Sequence, residues 1–498
     1  MKVKTRHTWK NSVKHLVAQP LKYFLPETLD DLVQIIQEAE SNGFKVRAVG
    51  SGHSFSDVAI TSDYMISTHE LKGFLPVDHE ILKDTARNLN LVKVLAGTSV
   101  EEFNLALDGV DKAIINMGGI DHQTIAGAVS TGTHGSGITL PALPGMIKAV
   151  TMVVTGGEIH RIEPTDGITD PAKYNAPKIK LIQDDDIFYS IVVGLGAMGV
   201  VYSYTVEVRN MYWIREERVL SDWQTLKKQI LDGTIHNGND GKPLRAVMVR
   251  INPYKVKKNT DRTVLLIRHT EISDEPRGRS LTEATRPIFF SVIGAIPGTP
   301  ALATAWLQLF PKKIPDSVES GMRSMADKAY VNRAHRVLFL GQVRAKEHGM
   351  DSEFAYDAHQ PQKIVDVIEA MFDKADKIAK TSNLYHTSQI GLRWVKASNH
   401  YLCPDYGMDV CYIDTPNHAR TKGSFEILEH YQDVQFAMGG KPHWGKLHNR
   451  ITSGYINAVH SWYPKLETWK KVFRQYNPKG TFRNNFTDRL KLDQQDNV

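Results

Sequence analysis

Val49-Gly50-Ser51-Gly52-His53-Ser54-Phe55-Ser56-Asp57 is a run of small and hydroxyl residues around one histidine, leaving the end of a strand-like segment, Lys45-Val46-Arg47-Ala48-Val49. Glycine admits backbone angles and close approaches that a Cβ forbids, and consecutive N–H groups in such a loop form an anion-binding concavity. Some seventy residues later Gln123-Thr124-Ile125-Ala126-Gly127-Ala128-Val129-Ser130-Thr131-Gly132-Thr133-His134-Gly135 repeats the composition, again with a single histidine. Packed together, the two loops would make a wall able to approach a pyrophosphate closely. Neither is a P-loop, because no Gly-Lys-Ser/Thr closes either one.

The flanks say where these loops sit. Thr28 with Asp31 is a capping box, and Leu29, Leu32, Ile35, Ile36 and Ala39 follow at helical spacing. The first loop therefore follows a helix and a strand. Val92-Lys93-Val94-Leu95-Ala96-Gly97 reads as a further strand, and Ser99 with Glu102 opens a helix ending near Gly109. Gly194-Leu195-Gly196-Ala197-Met198-Gly199 is a literal GxGxxG, but Val200 to Val208 after it is β-branched and aromatic. A dinucleotide fingerprint needs a helix there, so a Rossmann fold is rejected.

With 498 residues the chain exceeds a single core. We expect an α+β protein with a first domain over 1–210, a second over 211–435 and a closing segment over 436–498. The net charge of +6 comes without a basic block, which argues against a nucleic-acid partner. The two cysteines, Cys403 and Cys411, match no metal or redox motif, so no metal is expected and a reducing, cytoplasmic setting fits. No apolar core follows the basic N-terminus, against a signal peptide. Pro287 to Phe310 is 24 residues without a formal charge. Pro297 and Pro300 with Gly294 and Gly298 break it, so a buried hairpin, active-site cover or subunit contact is expected rather than a membrane span. A helix after Pro361 carries Ile364, Val367, Ile368, Met371, Phe372, Ala375 and Ile378 on one face, as core packing.

The two loops, in this order, resemble the FAD-binding domain of the vanillyl-alcohol-oxidase (PCMH-type) flavoproteins. Late motifs extend the resemblance to the aldonolactone oxidase branch, which includes gulonolactone, arabinonolactone and alditol oxidases. These are Leu392-Arg393-Trp394-Val395-Lys396-Ala397-Ser398, Lys441-Pro442-His443-Trp444-Gly445-Lys446 and Tyr476-Asn477-Pro478-Lys479-Gly480-Thr481-Phe482-Arg483-Asn484. The resemblance implies a PCMH-type domain followed by an α+β substrate (cap) domain. It also implies FAD bonded through the ring of His53; the alternative is a histidine that only bonds its own loop. FAD contacts are implied for Val49, Gly50, Ser51, Gly52, Ser54, Ser56 and Asp57, and for Gly118, Gly119, Ile120, Gln123, Thr124, Gly127 and Ala128. The same holds for Thr131, Gly132, Thr133, His134, Gly135, Gly194, Gly199, Val200, His443, Lys446 and Asn484.

Chemistry is implied at Lys446, a cation that stabilises charge collecting on a reduced flavin, and at Arg393, which holds a substrate oxygen. Thr415 joins this constellation. Many relatives carry Glu two residues before the arginine; here that position is Gly391, which leaves the general base open. Asp351 and Glu353, at i and i+2 of a strand, share one face and offer a carboxylate, or are plain structural hydrogen-bonders. The Gly118-Gly119 pair leaves a gap for molecular oxygen, or simply makes a turn. The expected activity is oxidation of an aldono-1,4-lactone with hydrogen peroxide as product. An alditol, an oligosaccharide, a sterol-like alcohol or an acceptor other than oxygen is the alternative. Homo-oligomerisation is left open.

Overall fold

In the computed structural model the described residues are 1–493 apart from 258, 273, 274, 277–299, 328, 341–348 and 453. The expected features of 287–299 thus lie outside the described residues; Pro300–Leu309 is a helix.

Among the described residues three larger sheets, beside three two-stranded ones, build the fold. In the first, Lys22–Leu25, Tyr64–Ser67 and Val46–Val49 run parallel, with Lys2–Lys4 antiparallel at the edge. The helix Leu29–Ser41 covers it, started by the reciprocal capping box of Thr28 and Asp31, with Leu32, Ile35, Ile36 and Ala39 buried. Burying such a stripe removes apolar surface from water and contributes roughly 1.5–3 kcal/mol per large side chain. The second sheet has six strands, in the order Ile179–Gln183, Ile159–Glu163, Ile147–Val153, Val200–Glu207, Leu91–Leu95 and Phe74–Leu75. Ser99 and Glu102 cap the helix Val100–Asp108 reciprocally.

The glycine run 194–199 enters the strand Val200–Glu207, so the Rossmann reading is excluded on geometry as well. It leaves a helix, Asp185–Val192, and makes a helix-to-strand turn. Left-handed angles at Leu195, Gly196 and Gly199 make that reversal.

The third sheet is antiparallel and has eight strands. Their order is Tyr330–Arg333, Trp213–Asp222, Thr263–Ile272, Ala246–Ile251, Ile390–Val395, Val410–Asp414, Glu353–Asp357 and Lys441–Pro442. The helix Pro361–Ser382 contributes to its core the seven apolar residues named from the sequence. The chain then returns to its start. Val46 N–H donates to the Thr481 carbonyl at 2.7 Å, and the Asn484 amide donates to the carbonyls of Asp57, Val58 and Ile60. No described helix is long and apolar enough to cross a membrane.

Candidate active site

One cleft is lined jointly by the loop 49–56, the segment 118–134 and the face of the eight-stranded sheet. The first loop is held on every side by backbone. Arg47, 1% exposed, donates from one strand position before it to the carbonyls of Gly196 and Phe482 at 2.9 Å, Leu195 at 2.5 Å and also Val58. A guanidinium with five donors suits a convergence of carbonyls from three segments. An N-terminal hairpin closes a second side. Ser12 N–H donates to Gly52 O at 2.8 Å, Asn11 to Ser54 O at 3.1 Å, and Trp9 lines the cleft.

The Pro-His-Trp-Gly-Lys segment forms the third side, and its spacing has a mechanical reason. Ser56 donates to Trp444 O at 2.7 Å and Phe55 N–H to Gly445 O at 2.8 Å. His443 N–H donates to Glu353 O, Lys446 N–H to His443 O, and Leu447 N–H to Asp351 O. The segment therefore ties the loop to the sheet and delivers Lys446 between two carboxylates. Lys446 Nζ lies 2.5 Å from Asp351 Oδ2 and 3.7 Å from Glu353 Oε2. His443 accepts from Gly445 N–H at Nδ1, and burial pushes its ring down to about 3, so it is neutral.

The carboxylates titrate apart. Burial, with Asp414 and Glu353 nearby, raises Asp351 to about 6 against the opposing pull of Lys446. Glu353 is equally buried but is held well below the usual carboxylate range by Lys446 and His134. Burial lowers the Lys446 ammonium, yet Asp351 and Glu353 outweigh it and leave its pKa raised. His134 stacks on Tyr412 at 3.6 Å, bonds Gly135 O through Nδ1, and places Nε2 3.3 Å from Glu353 Oε1.

Of the residues named from the sequence for chemistry, Lys446, Arg393, Asp351 and Glu353 line the cleft together. Thr415 lies outside the lining: its hydroxyl donates to Ser352 O at 2.8 Å, and its N–H serves Asp351 Oδ1 at 2.9 Å. It follows Asp414, the last residue of its strand, and Asp414 itself lines the cleft.

Among the residues named for the cofactor, Val49, Gly50, Ser51, Gly52, His53, Ser54 and Ser56 line the cleft. So do Gly118, Gly119, Ile120, Gln123, Thr124, Gly127, Thr131, Thr133, His134, Gly199, His443 and Lys446. Asp57, Ala128, Gly132, Gly135, Gly194, Val200 and Asn484 do not, and support the lining from behind. Asp57 pairs with Arg489 at 2.7 Å, Ala128 and Val200 are core, and Gly132 abuts Cys403 Sγ. Gly135 packs on Asn116 and Gly194 on the Ile191 carbonyl. Asn484 braces the loop through the three carbonyls already described.

The sequence reading missed Arg250, Asp414, Trp9 and Leu340, which all line the cleft. Parity offered one signal: Asp414 shares its strand face with Tyr412.

The lining fits FAD. Gly50 passes so near Thr124 that a Cβ would stand 2.0 Å from its Oγ1, so the two loops meet only because that side chain is missing. Small hydroxyl and glycine residues leave room for a long dinucleotide, and Lys446 offers a cation to an electron-rich ring. Fold and cleft together define an FAD-binding oxidoreductase of the PCMH type.

Residues 20–163 match the family model of an FAD-binding domain, and residues 265–490 that of D-arabinono-1,4-lactone oxidase. The two models match successive stretches of the chain, which is thus similar to the aldonolactone oxidases among these flavoproteins. The chain is 25% identical to L-gulono-1,4-lactone dehydrogenase of Mycobacterium tuberculosis, over 97% of this chain and 98% of that protein. L-gulonolactone oxidase of Scyliorhinus torazame is 23% identical over 95% of each. D-arabinono-1,4-lactone oxidase of Eremothecium gossypii is 28% identical over 44% of this chain and 39% of that protein. Cholesterol oxidase from B. sterolicum superposes with a TM-score of 0.73 over 98% of this chain and 97% of that one; at 15% identity it shares the fold.

Proposed function

We propose that the protein oxidises a carbinol of an aldono-1,4-lactone, with FAD tethered at His53 and molecular oxygen as the final acceptor. The observation that carries this reading is the charged inner wall of the cleft. Asp351, Glu353, Asp414, Arg250, Arg393 and Lys446 face the glycine loops across one cavity. A substrate rich in hydroxyls satisfies such a wall. A sterol-sized apolar alcohol would strip water from these charges without replacing its hydrogen bonds.

Bound FAD supplies the acceptor for the hydride leaving the carbinol carbon. The chain's residues supply the rest. Ionised Asp351 takes the hydroxyl proton at its carboxylate, Arg393 holds a substrate oxygen, and Lys446 provides a fixed cation where negative charge develops. Gly118 and Gly119 both line the cleft and leave a passage for oxygen. The Mycobacterium relative is named a dehydrogenase, which favours, as a second reading, an acceptor other than oxygen.

A panel of aldonolactones, alditols and sterols, mixed anaerobically with the holoprotein, tests the substrate. Lactones should bleach the flavin fastest, and a protein left oxidised by every lactone would end the reading. Stoichiometric peroxide in air distinguishes the oxidase from the dehydrogenase. Acid-precipitated protein should retain flavin fluorescence on the peptide that contains His53. Complete release of FAD into the supernatant refutes the tether.

A further inference from the structure

Arg250, Gly391, Asp414 and Glu353 stand abreast on four adjacent strands of the large sheet. Between the two charged neighbours of the glycine runs an ion pair. Arg250 Nη1 donates to both oxygens of Asp414, at 2.8 and 3.1 Å. A Cβ at position 391 would stand 1.9 Å from Asp414 Oδ1 and 2.0 Å from Arg250 Nη1. The pair thus crosses over the glycine and fills the volume that any other side chain would take. Two residues along the same strands, on the same face, Arg393 pairs with Tyr412. Its Nη2 lies 3.6 Å from Asp414 Oδ2.

Asp414 and Arg250 are 4% and 7% exposed, and both line the cleft. Taking an ion pair out of water costs more than packing apolar residues of similar volume there. Stability alone does not account for it. What the pair achieves is a fixed carboxylate beside a long, flexible arginine that would otherwise sample several rotamers.

We infer that Asp414 is a positioning residue of the substrate site: braced by Arg250 across Gly391, it fixes the Arg393 guanidinium that grips the oxygens of a polyhydroxylated substrate. The substrate class rests on the lactone reading above; the positioning role does not.

The test compares wild type with Asp414→Asn, which keeps the shape and removes the charge, and with Gly391→Ala, whose methyl displaces the pair. Flavin content and reduction by dithionite should stay at wild-type levels in both. The limiting rate of anaerobic flavin reduction by D-arabinono-1,4-lactone should fall by about a hundredfold, the scale of an ångström of misplacement, with little change in substrate affinity. If lactones fail to reduce the wild type, the lactone reading falls, and the same ratio is measured with the alcohol of the panel that does reduce it. Variants reduced at the wild-type rate overturn the positioning role. Crystal structures of wild type and Asp414→Asn need no substrate: a displaced Arg393 guanidinium is expected, and an unmoved one overturns the inference equally.

Discussion

Asp351 lies just before the strand Glu353–Asp357 rather than within it as expected, yet it shares Lys446 with Glu353, the strand's first residue, and the two carboxyls are driven in opposite directions. The asymmetry comes from the third partner: Glu353 has His134, whereas Asp351 has the like charge of Asp414 near it. In the proposed reaction the proton acceptor is Asp351, because a base works best with a pKa near the working pH. Its folded pKa of about 6 stands above the ordinary carboxylate value of 3.8. The native state therefore binds this proton more tightly than the unfolded chain, and the group's contribution to stability is lost as pH rises from about 4 through 6. Activity runs the other way. Flavin reduction should fall as pH drops through about 6, and Asp351→Asn should remove that limb from the profile. Lys446→Met should slow reduction by about a hundredfold with flavin content unchanged. It should also move the limb to higher pH, since the cation that favours ionised Asp351 is gone. A variant with the wild-type rate and profile would place Lys446 outside the chemistry.

Elements matter here through what they hold in place. The short helix Asn485–Arg489 buries Phe486 in the core, and its N-cap, Asn484, also ties the carbonyls of Asp57, Val58 and Ile60. Asn484→Ala should therefore cost more than an ordinary cap, about 2 kcal/mol or more, because buried carbonyls lose their donor. A lowered thermal midpoint together with incomplete flavin loading is the expected result; an unchanged midpoint would show that water replaces the amide. The Gly118-Gly119 segment is the other informative element. A methyl at 119 would meet Leu340 Cδ1 at 2.5 Å, whereas one at 118 meets Thr133 Cγ2 at 3.0 Å and the His134 carbonyl at 3.4 Å. Gly118→Ala should thus fold with small adjustments and slow reoxidation by oxygen while sparing anaerobic reduction. Gly119→Ala should displace Leu340 from the lining and disturb both half-reactions. Stopped-flow traces of each half-reaction check the pair.

Across the whole molecule, the cleft is assembled from the N-terminal hairpin, two glycine loops and the large sheet, which are far apart in sequence. A ligand that touches all of them stabilises the native state by mass action, by about 2.7 kcal/mol at a hundred times its dissociation constant. A His53→Ala protein freed of FAD should melt lower than the holoprotein and recover as FAD is added back. Indifference of the melting midpoint to FAD would mean that the cofactor does not bridge these segments.

Much of this was legible in the sequence, for local reasons. The capping boxes at Thr28 and Ser99, the strand after Gly199 and the apolar face of the helix after Pro361 are written in residues within a few turns of one another. The glycine loops are legible because their composition serves one purpose, close approach. Missing Glu at position 391 left the base open, and nothing near Gly391 in sequence could say what fills its place. Asp414 and Arg250 reach that place only through strand register, from either side. Thr415 follows the end of the strand Val410–Asp414 and lies outside the lining, whereas the preceding Asp414 lines the cleft. The sequence by itself pointed to the class of cofactor site and to Lys446, Arg393, Asp351 and Glu353, which the fold brings to one cleft. Only the tertiary structure decided which carboxylate shares which cation, because that depends on register across four strands and on a loss of solvent that no local pattern encodes.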